Sequence, residues 1–399
     1  MIDIRMLANH TTHPHHPERN DGMKSLHRFG LLMPLAICVI VSGCATRPDA
    51  GVLQPVADST LVGKPSVGER IRVLTATNRQ PEGKGFSATP SDNTTYEAYD
   101  ITVPPDRKGA EIAYASHRPD PQRQYIVRRR AELSEAQFET AVGQSASSDG
   151  TVGVFVHGYN YSYQEALFRT AQVAVDANVG AVPVLFSWPS AASVTGYVAD
   201  RDAVLYSRRR LDALLDDLSS ARNVKRIVLF GHSMGAFLAM EAVRELKLQH
   251  RQDVLDKLEV ILASPDIDVD VFRSQLREIG AMKTPITLLV ARTDRALQVS
   301  SLIANDRARI GRLDIDDPVI QAAAREEHVR VIDITAIDGT DGLGHDRFAS
   351  LARFGSKLRS FDGDKKASAG DVGAYVFDAA GALVSSPFRL AGSLSRAGQ

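Results

Sequence analysis

Ser233 lies in the stretch Gly231-His232-Ser233-Met234-Gly235, between an apolar run at Arg226–Phe230 and a segment with helical spacing that starts near Ala236. A G-x-S-x-G match fixes only three positions. At roughly 7% per residue type, about one chain in ten of this length would carry one by chance. The setting adds the weight, because a strand that turns sharply into a helix lifts a serine Oγ above the edge of a sheet. Gly231 and Gly235 carry no side chain to obstruct that turn. The helix that follows aims its N-terminus where negative charge would develop on a substrate. A serine held this way is suited to attack a carbonyl carbon and form an acyl-enzyme.

Such a serine needs a base, and the base needs an acid to orient it. After Ser233 the chain has His250, His328 and His345. His250 closes a helix among Lys247, Gln249 and Arg251, which marks it as exposed. His328 precedes the apolar run Val329–Ile334 and so falls at the wrong end of a strand. His345 follows that run, in a loop containing Gly339, Gly342 and Gly344 that is flexible enough to swing an imidazole over the serine. It is the expected base. The expected acid is Asp294, just after the run Ile286–Ala291, with Asp266 as the alternative one strand earlier. Asp266, Asp268 and Asp270 alternate as in a calcium loop, but Val271 occupies the place where such a loop needs glycine. These aspartates are expected to cap the next helix or support the site. No metal or cofactor is expected.

Charge developing on the carbonyl oxygen calls for backbone N–H donors. The residue after the nucleophile, Met234, supplies one. The second is expected from Tyr159 in His157-Gly158-Tyr159-Asn160, a loop that follows the apolar run Val152–Val156. Gly158 lets this backbone pass close to the substrate, and His157 is expected to be a structural hydrogen-bonding residue. Asn160 and Trp188 are the expected substrate-pocket residues, with Tyr159 beside Trp188 along an acyl pocket.

The elements that must position these groups recur from Val152 onward. Short runs apolar throughout, at Val152–Val156, Val182–Phe186, Arg226–Phe230, Leu258–Ala263, Ile286–Ala291 and Val329–Ile334, alternate with helical stretches such as Tyr163–Asn178 and Ala203–Leu218. That pattern predicts a mostly parallel sheet of about eight strands with helices on both faces. About twenty residues separate Asp266 from the next strand, which leaves no room there for a large cap domain. Upstream, Arg70–Ala76, Tyr99–Val103 and Gln124–Val127 read as strands, and Ser134 reads as a helix N-cap.

Residues outside this core read differently. Lys24 and Arg28 precede an apolar run from Gly30 to Val41 that is too short to span a bilayer, and Val41-Ser42-Gly43-Cys44 follows. This resembles a lipoprotein signal with Cys44 as the lipidated residue. With Cys38 removed in the signal, the mature chain would hold no further thiol. The expected organisation is a non-native extension over residues 1–22 with translation from Met23, a signal peptide over 23–43, and a flexible tether over 44–68. A catalytic domain over 69–361 and a low-complexity tail over 362–399 complete it. Within the tail, Tyr375–Phe377 and Leu383-Val384 read as one small hairpin or as part of a disordered segment. The histidines at 10, 13, 15 and 16 fall in the extension and are not expected to bind metal. The expected location is the bacterial cell envelope, with the protein lipid-anchored on the periplasmic side of the outer membrane. A formal net charge of −1, with 24% charged and 44% hydrophobic residues, gives no sign of a nucleic-acid partner.

Taken together, Ala76-Thr77-Asn78-Arg79, His157-Gly158-Tyr159-Asn160, Phe186-Ser187-Trp188-Pro189-Ser190, the Gly231–Gly235 elbow and Thr293-Asp294-Arg295-Ala296-Leu297 resemble a bacterial α/β-hydrolase family of unknown function. The resemblance spans residues 69–361 and implies the α/β-hydrolase fold with a serine esterase or lipase-like activity. The expected reaction is hydrolysis of a small-molecule or lipid carboxylic ester, and the open site favours soluble or short-chain esters. Two other readings stay open. One is a catalytically silent, envelope-anchored binding protein. The other is an acyltransferase, thioesterase or peptidase that uses the same triad.

Overall fold

The computed structural model describes residues 47–61 and 68–353, apart from 116, 148, 179 and 181, together with the backbone of 376 and 377. The signal segment, Cys44 and the second strand of the expected C-terminal hairpin lie outside the described residues. None of the helices among the described residues is long and apolar enough to cross a membrane.

In chain order the elements are β1 (Glu69–Glu82), β2 (Gly85–Val103), β3 (Ile126–Leu133), α1 (Glu135–Ser145), β4 (Thr151–Val156), α2 (Tyr163–Asp176), β5 (Pro183–Ser187) and α3 (Tyr197–Ser220). They continue with β6 (Arg226–His232), α4 (Met234–Leu248), α5 (Gln252–Leu255), β7 (Leu258–Ala263), α6 (Val269–Ile279), β8 (Ile286–Val290) and α7 (Arg295–Ile303). The last are α8 (Pro318–Glu326), β9 (Val329–Asp333), α9 (Arg347–Ala352) and β10 (Val376–Phe377). One sheet runs in the order β10-β9-β8-β7-β6-β4-β5-β1-β2-β3. Every pairing from β10 to β1 is parallel, and the hairpin β1–β2 and its neighbour β3 add an antiparallel edge. This is the α/β-hydrolase architecture, and among the described residues no large cap lies over the strand ends.

Burial on both faces explains the apolar strands. All five residues of β5 and of β8 are buried, and the helices divide the core into two apolar clusters, one on each side of the sheet. Helix starts follow the local chemistry. Ser134 opens α1 and Ser162 opens α2, each in a capping box closed by the side chain three residues on, Gln137 and Glu165.

Three features differ from the sequence-based expectation. The β1–β2 hairpin extends far beyond Arg70–Ala76 and Tyr99–Val103, because its outer half is a twisted, bulged ribbon whose polar and proline-containing residues mimic a loop. Val376–Phe377 pairs parallel with Val331–Ile332 of β9 and so joins the main sheet, while Leu383-Val384 lies outside the described residues. Within the expected flexible tether over 44–68, the stretch Pro48–Leu53 also departs from that reading. Ala50–Leu53 forms a 3₁₀ turn capped by Asp49, Leu53 is fully buried, and Gln164 donates to the Pro48 carbonyl at 2.7 Å. A buried leucine and a capped turn convert this part of the linker into an integral piece of the domain.

Candidate active site

Ser233 sits between β6 and α4 with φ 55° and ψ −120°, a conformation costly for any residue but glycine. The strain is held from three sides. The Ser233 amide donates to the Ala263 carbonyl at 2.9 Å, while its carbonyl accepts from Ala236 at 3.0 Å and from Asp266 at 3.2 Å. Gly235 must lack a side chain, since a Cβ there would lie 2.2 Å from the His157 carbonyl oxygen. Gly158 is equally constrained: a Cβ would lie 2.8 Å from His232 Nδ1 and 3.0 Å from Ser233 Cβ. The His157–Asn160 loop therefore lies against Ser233, with Asn160 at φ 63°.

His345 and Asp294 come together. His345 Nδ1 donates to Asp294 Oδ2 at 2.7 Å, and Asp294 is fully buried. The other carboxylate oxygen accepts the Leu297 amide at 3.0 Å, so Asp294 is also the N-cap of α7. Burial pulls the His345 pKa down, but the Asp294 carboxylate, its hydrogen bond and the more distant Asp341 and Asp266 outweigh that and leave it raised. The neighbouring His232 places its ring 4.7 Å from that of His345, and its Nε2 donates to the His345 carbonyl at 3.2 Å. Among the described residues no hydrogen bond joins Ser233 Oγ to the imidazole, a contact such sites commonly complete only around a seated substrate.

The second candidate acid is engaged elsewhere. Asp266 accepts from Ser300 at 2.5 Å and Tyr197 at 2.9 Å, and it pairs with Arg309 at 3.1 Å in a setting where both side chains are 3% exposed. Asp268 caps α6 and, with Asp270, binds Arg307, so the alternating aspartates support helix and loop. His250 and His328 are exposed turn residues at positive φ, and His328 precedes β9 at the opposite sheet edge.

Trp188 does not line an open pocket. It is fully buried, donates from Nε1 to the His157 carbonyl at 2.8 Å, and stacks on the His157 ring at 5.0 Å. Its work is to hold the loop beside the nucleophile. His157 itself is buried, with its pKa pulled down to about 3 by burial and by Arg79, which keeps it neutral. Asn160 is half-buried, and its amide donates to Asp200 at 3.3 Å, which uses it to shape the loop.

The supporting roles of several residues escaped the sequence reading. Arg79 is buried and donates to Ser187 Oγ and to the carbonyls of Ser87, Ser190 and Tyr161, tying the start of β2 to the loops after β4 and β5. Burial lowers its pKa to about 10 against the opposing field of Asp200. The glycine-rich loop before His345 is braced as well. Asp341 accepts the amides of Leu343, Gly344 and His345, and Asp346 accepts Thr340 N at 2.7 Å. An aspartate near the start of a glycine turn is the signal that marked this bracing, by the Asx-turn rule.

A candidate hydrolase from Agrobacterium vitis S4 is 15% identical, with 74% of this chain and 99% of that one covered at a TM-score of 0.33. An esterase from Rhizomucor miehei is 12% identical over 78% and 94% of the two chains, with a TM-score of 0.31. One from Pyrobaculum calidifontis is 10% identical over 76% and 91%, with a TM-score of 0.32. Likenesses this distant add nothing to the site. No curated protein matches. A family model matches residues 134–359, more than half of the chain, and covers the elbow, both candidate acids and His345; Ala76–Arg79 lies before it. The chain belongs to the family described as α/β hydrolases of unknown function, DUF900.

Proposed function

We propose that the protein is a serine hydrolase of carboxylic esters that works through an acyl-enzyme on Ser233. The observation that carries this reading is the 2.7 Å hydrogen bond between His345 Nδ1 and Asp294, set beside a serine strained at φ 55°. In the reaction, His345 Nε2 takes the Ser233 hydroxyl proton and the oxygen attacks the ester carbonyl carbon. The oxyanion is held by the backbone N–H groups of Met234 and Tyr159. Collapse expels the alcohol, which receives the proton from His345. A water then gives its proton to the same imidazole, attacks the acyl carbonyl and regenerates the serine as the acid leaves. Asp294 stabilises the imidazolium and fixes the tautomer throughout.

Anchoring is a second part of the proposal. Cys44 carries the lipid, and the mature protein resides on the periplasmic side of a bacterial outer membrane. A tagged fatty acid fed to the cells should label the protein, and Cys44→Ser should abolish that label. A label that survives the substitution would overturn the lipid anchor at Cys44.

The catalytic reading is tested with a fluorophosphonate probe and p-nitrophenyl acetate. Labelling and turnover are expected in the unaltered protein. Ser233→Ala should abolish the label and cut turnover by about a millionfold. A folded protein that neither labels nor turns over would overturn the assignment and favour the silent binding protein.

A further inference from the structure

The candidate triad occupies the edge of the sheet at the C-terminal ends of the parallel strands, and apolar exposure gathers at that same edge. Ten large hydrophobic side chains are exposed among the described residues, and six of them sit in the loops or first helical turn after these strands or on the α7 excursion. Val194 and Val198 follow β5, Val299, Leu302 and Ile303 are on α7 after β8, and Leu343 is in the loop after β9.

Contacts tie these segments to one another around the site. The Tyr159 hydroxyl donates to the Val194 carbonyl, and Tyr197 meets Ser300 on α7 at 2.9 Å. The Arg295 amide donates to the Leu343 carbonyl at 3.0 Å. The stretch carrying α7 is a short excursion that returns to its own strand, where the Ala291 amide donates to the Gly311 carbonyl at 2.9 Å. Along this helix Leu297 and Ser300 face inward, while Leu302 and Ile303 are 62% and 57% exposed. Exposed apolar side chains gathered on segments that touch one another mark a candidate interaction site.

The N-terminal segment says what covers it. Pro48 is held by Gln164, the second residue of α2, and α2 starts directly after the loop that lies against Ser233. The chain therefore enters the domain at the catalytic edge. Cys44 is four residues upstream, and four residues reach at most about 14 Å. A lipid on Cys44 would hold this edge within a short distance of the bilayer surface.

We propose that the catalytic edge is a membrane-docking surface, with Val194, Val198, Val299, Leu302, Ile303 and Leu343 seated in a phospholipid bilayer around the triad. The substrates are long-chain acyl esters resident in that bilayer. This rests on the ester-hydrolase reading and on the lipid anchor, and it replaces the expectation of soluble or short-chain esters. That expectation was drawn from the lack of a lid and took no account of the apolar rim.

The test uses the mature chain from residue 44 onward with Cys44→Ser, so that neither the apolar run at Gly30–Val41 nor a lipid contributes to binding, and vesicles of phosphatidylethanolamine and phosphatidylglycerol carrying a fluorescent long-chain ester. The protein should float with the vesicles and hydrolyse the embedded ester. Leu302→Asp together with Ile303→Asp should lower the vesicle-bound fraction and that hydrolysis at least tenfold. Turnover of p-nitrophenyl acetate in bulk solution should stay within twofold. Val194→Asp, across the site, should act the same way and keeps the test decisive if the double variant misfolds. Equal vesicle binding and equal hydrolysis of the embedded ester in all forms would overturn the proposal. Vesicle binding that depends on the rim, in a protein inert to both esters and to fluorophosphonate, would instead overturn the ester-hydrolase reading and leave the docking surface standing.

Discussion

Two buried aspartates leave the sheet on neighbouring strands, and their surroundings separate their roles. Asp266, after β7, has a cation: Arg309 faces it, and Ser300 and Tyr197 add hydroxyl donors, so its charge is compensated within the fold. Asp294, after β8, meets no cation in its hydrogen-bonded contacts. One oxygen accepts a helix amide and the other accepts the His345 ring. A carboxylate balanced by arginine is at rest before any reaction begins. One balanced by an imidazole gains its full partner only when that ring takes a proton, which is the event serine catalysis requires. Depth of burial does not distinguish the two; the partner does.

The comparison is most exposed to Asp294→Asn. The amide can still cap α7 but cannot stabilise an imidazolium, so turnover of p-nitrophenyl acetate should fall about ten-thousandfold with the melting temperature little changed. The pH profile gives a second reading of the same variant. His345 must be neutral to act as base, and its folded pKa is raised, so activity in the unaltered protein should climb with pH through a value above that of an ordinary histidine. Removing the Asp294 charge should move this acid limb to lower pH. An unmoved limb would detach Asp294 from the base.

Arg309→Met attacks the other aspartate. It leaves the Asp266 carboxylate buried without its cation and should cost about 3–5 kcal/mol in denaturant unfolding, while turnover per folded molecule stays near normal. If turnover instead collapsed in molecules that remain folded, Asp266 would be the working acid. The smallest effect is expected from Ser300→Ala, which removes one donor from the same cluster. It should destabilise by about 1.5 kcal/mol and leave the pH profile in place.

The sequence made the candidate nucleophile and the candidate base readable because both depend on local signals. The elbow at Gly231–Gly235 is a strand-to-helix turn, and His345 was isolated by the position of its loop after a strand. The choice between Asp294 and Asp266 depended on long-range partners. Nothing near Asp266 in sequence announces Arg309, forty-three residues on, or Tyr197, which approaches from the start of another helix. Trp188 was misread for a related reason. An aromatic after a catalytic strand can face a pocket or a neighbouring loop, and only the fold reveals that His157 supplies its partner. The linker was misread because its polar, glycine-containing composition outweighed one leucine, and a single fully buried side chain suffices to dock a short segment.

The double duty proposed for Asp294 has an evolutionary consequence. Aspartate is a good N-cap and a good triad acid; here one carboxylate caps α7 and, in the proposed mechanism, serves as the acid. Selection for a well-formed α7 therefore preserves the acid even in a lineage where turnover no longer matters. Decay of such an enzyme into a silent relative should begin at Ser233 or His345, neither of which caps a helix with its side chain, and an intact aspartate at this position is a poor witness to activity.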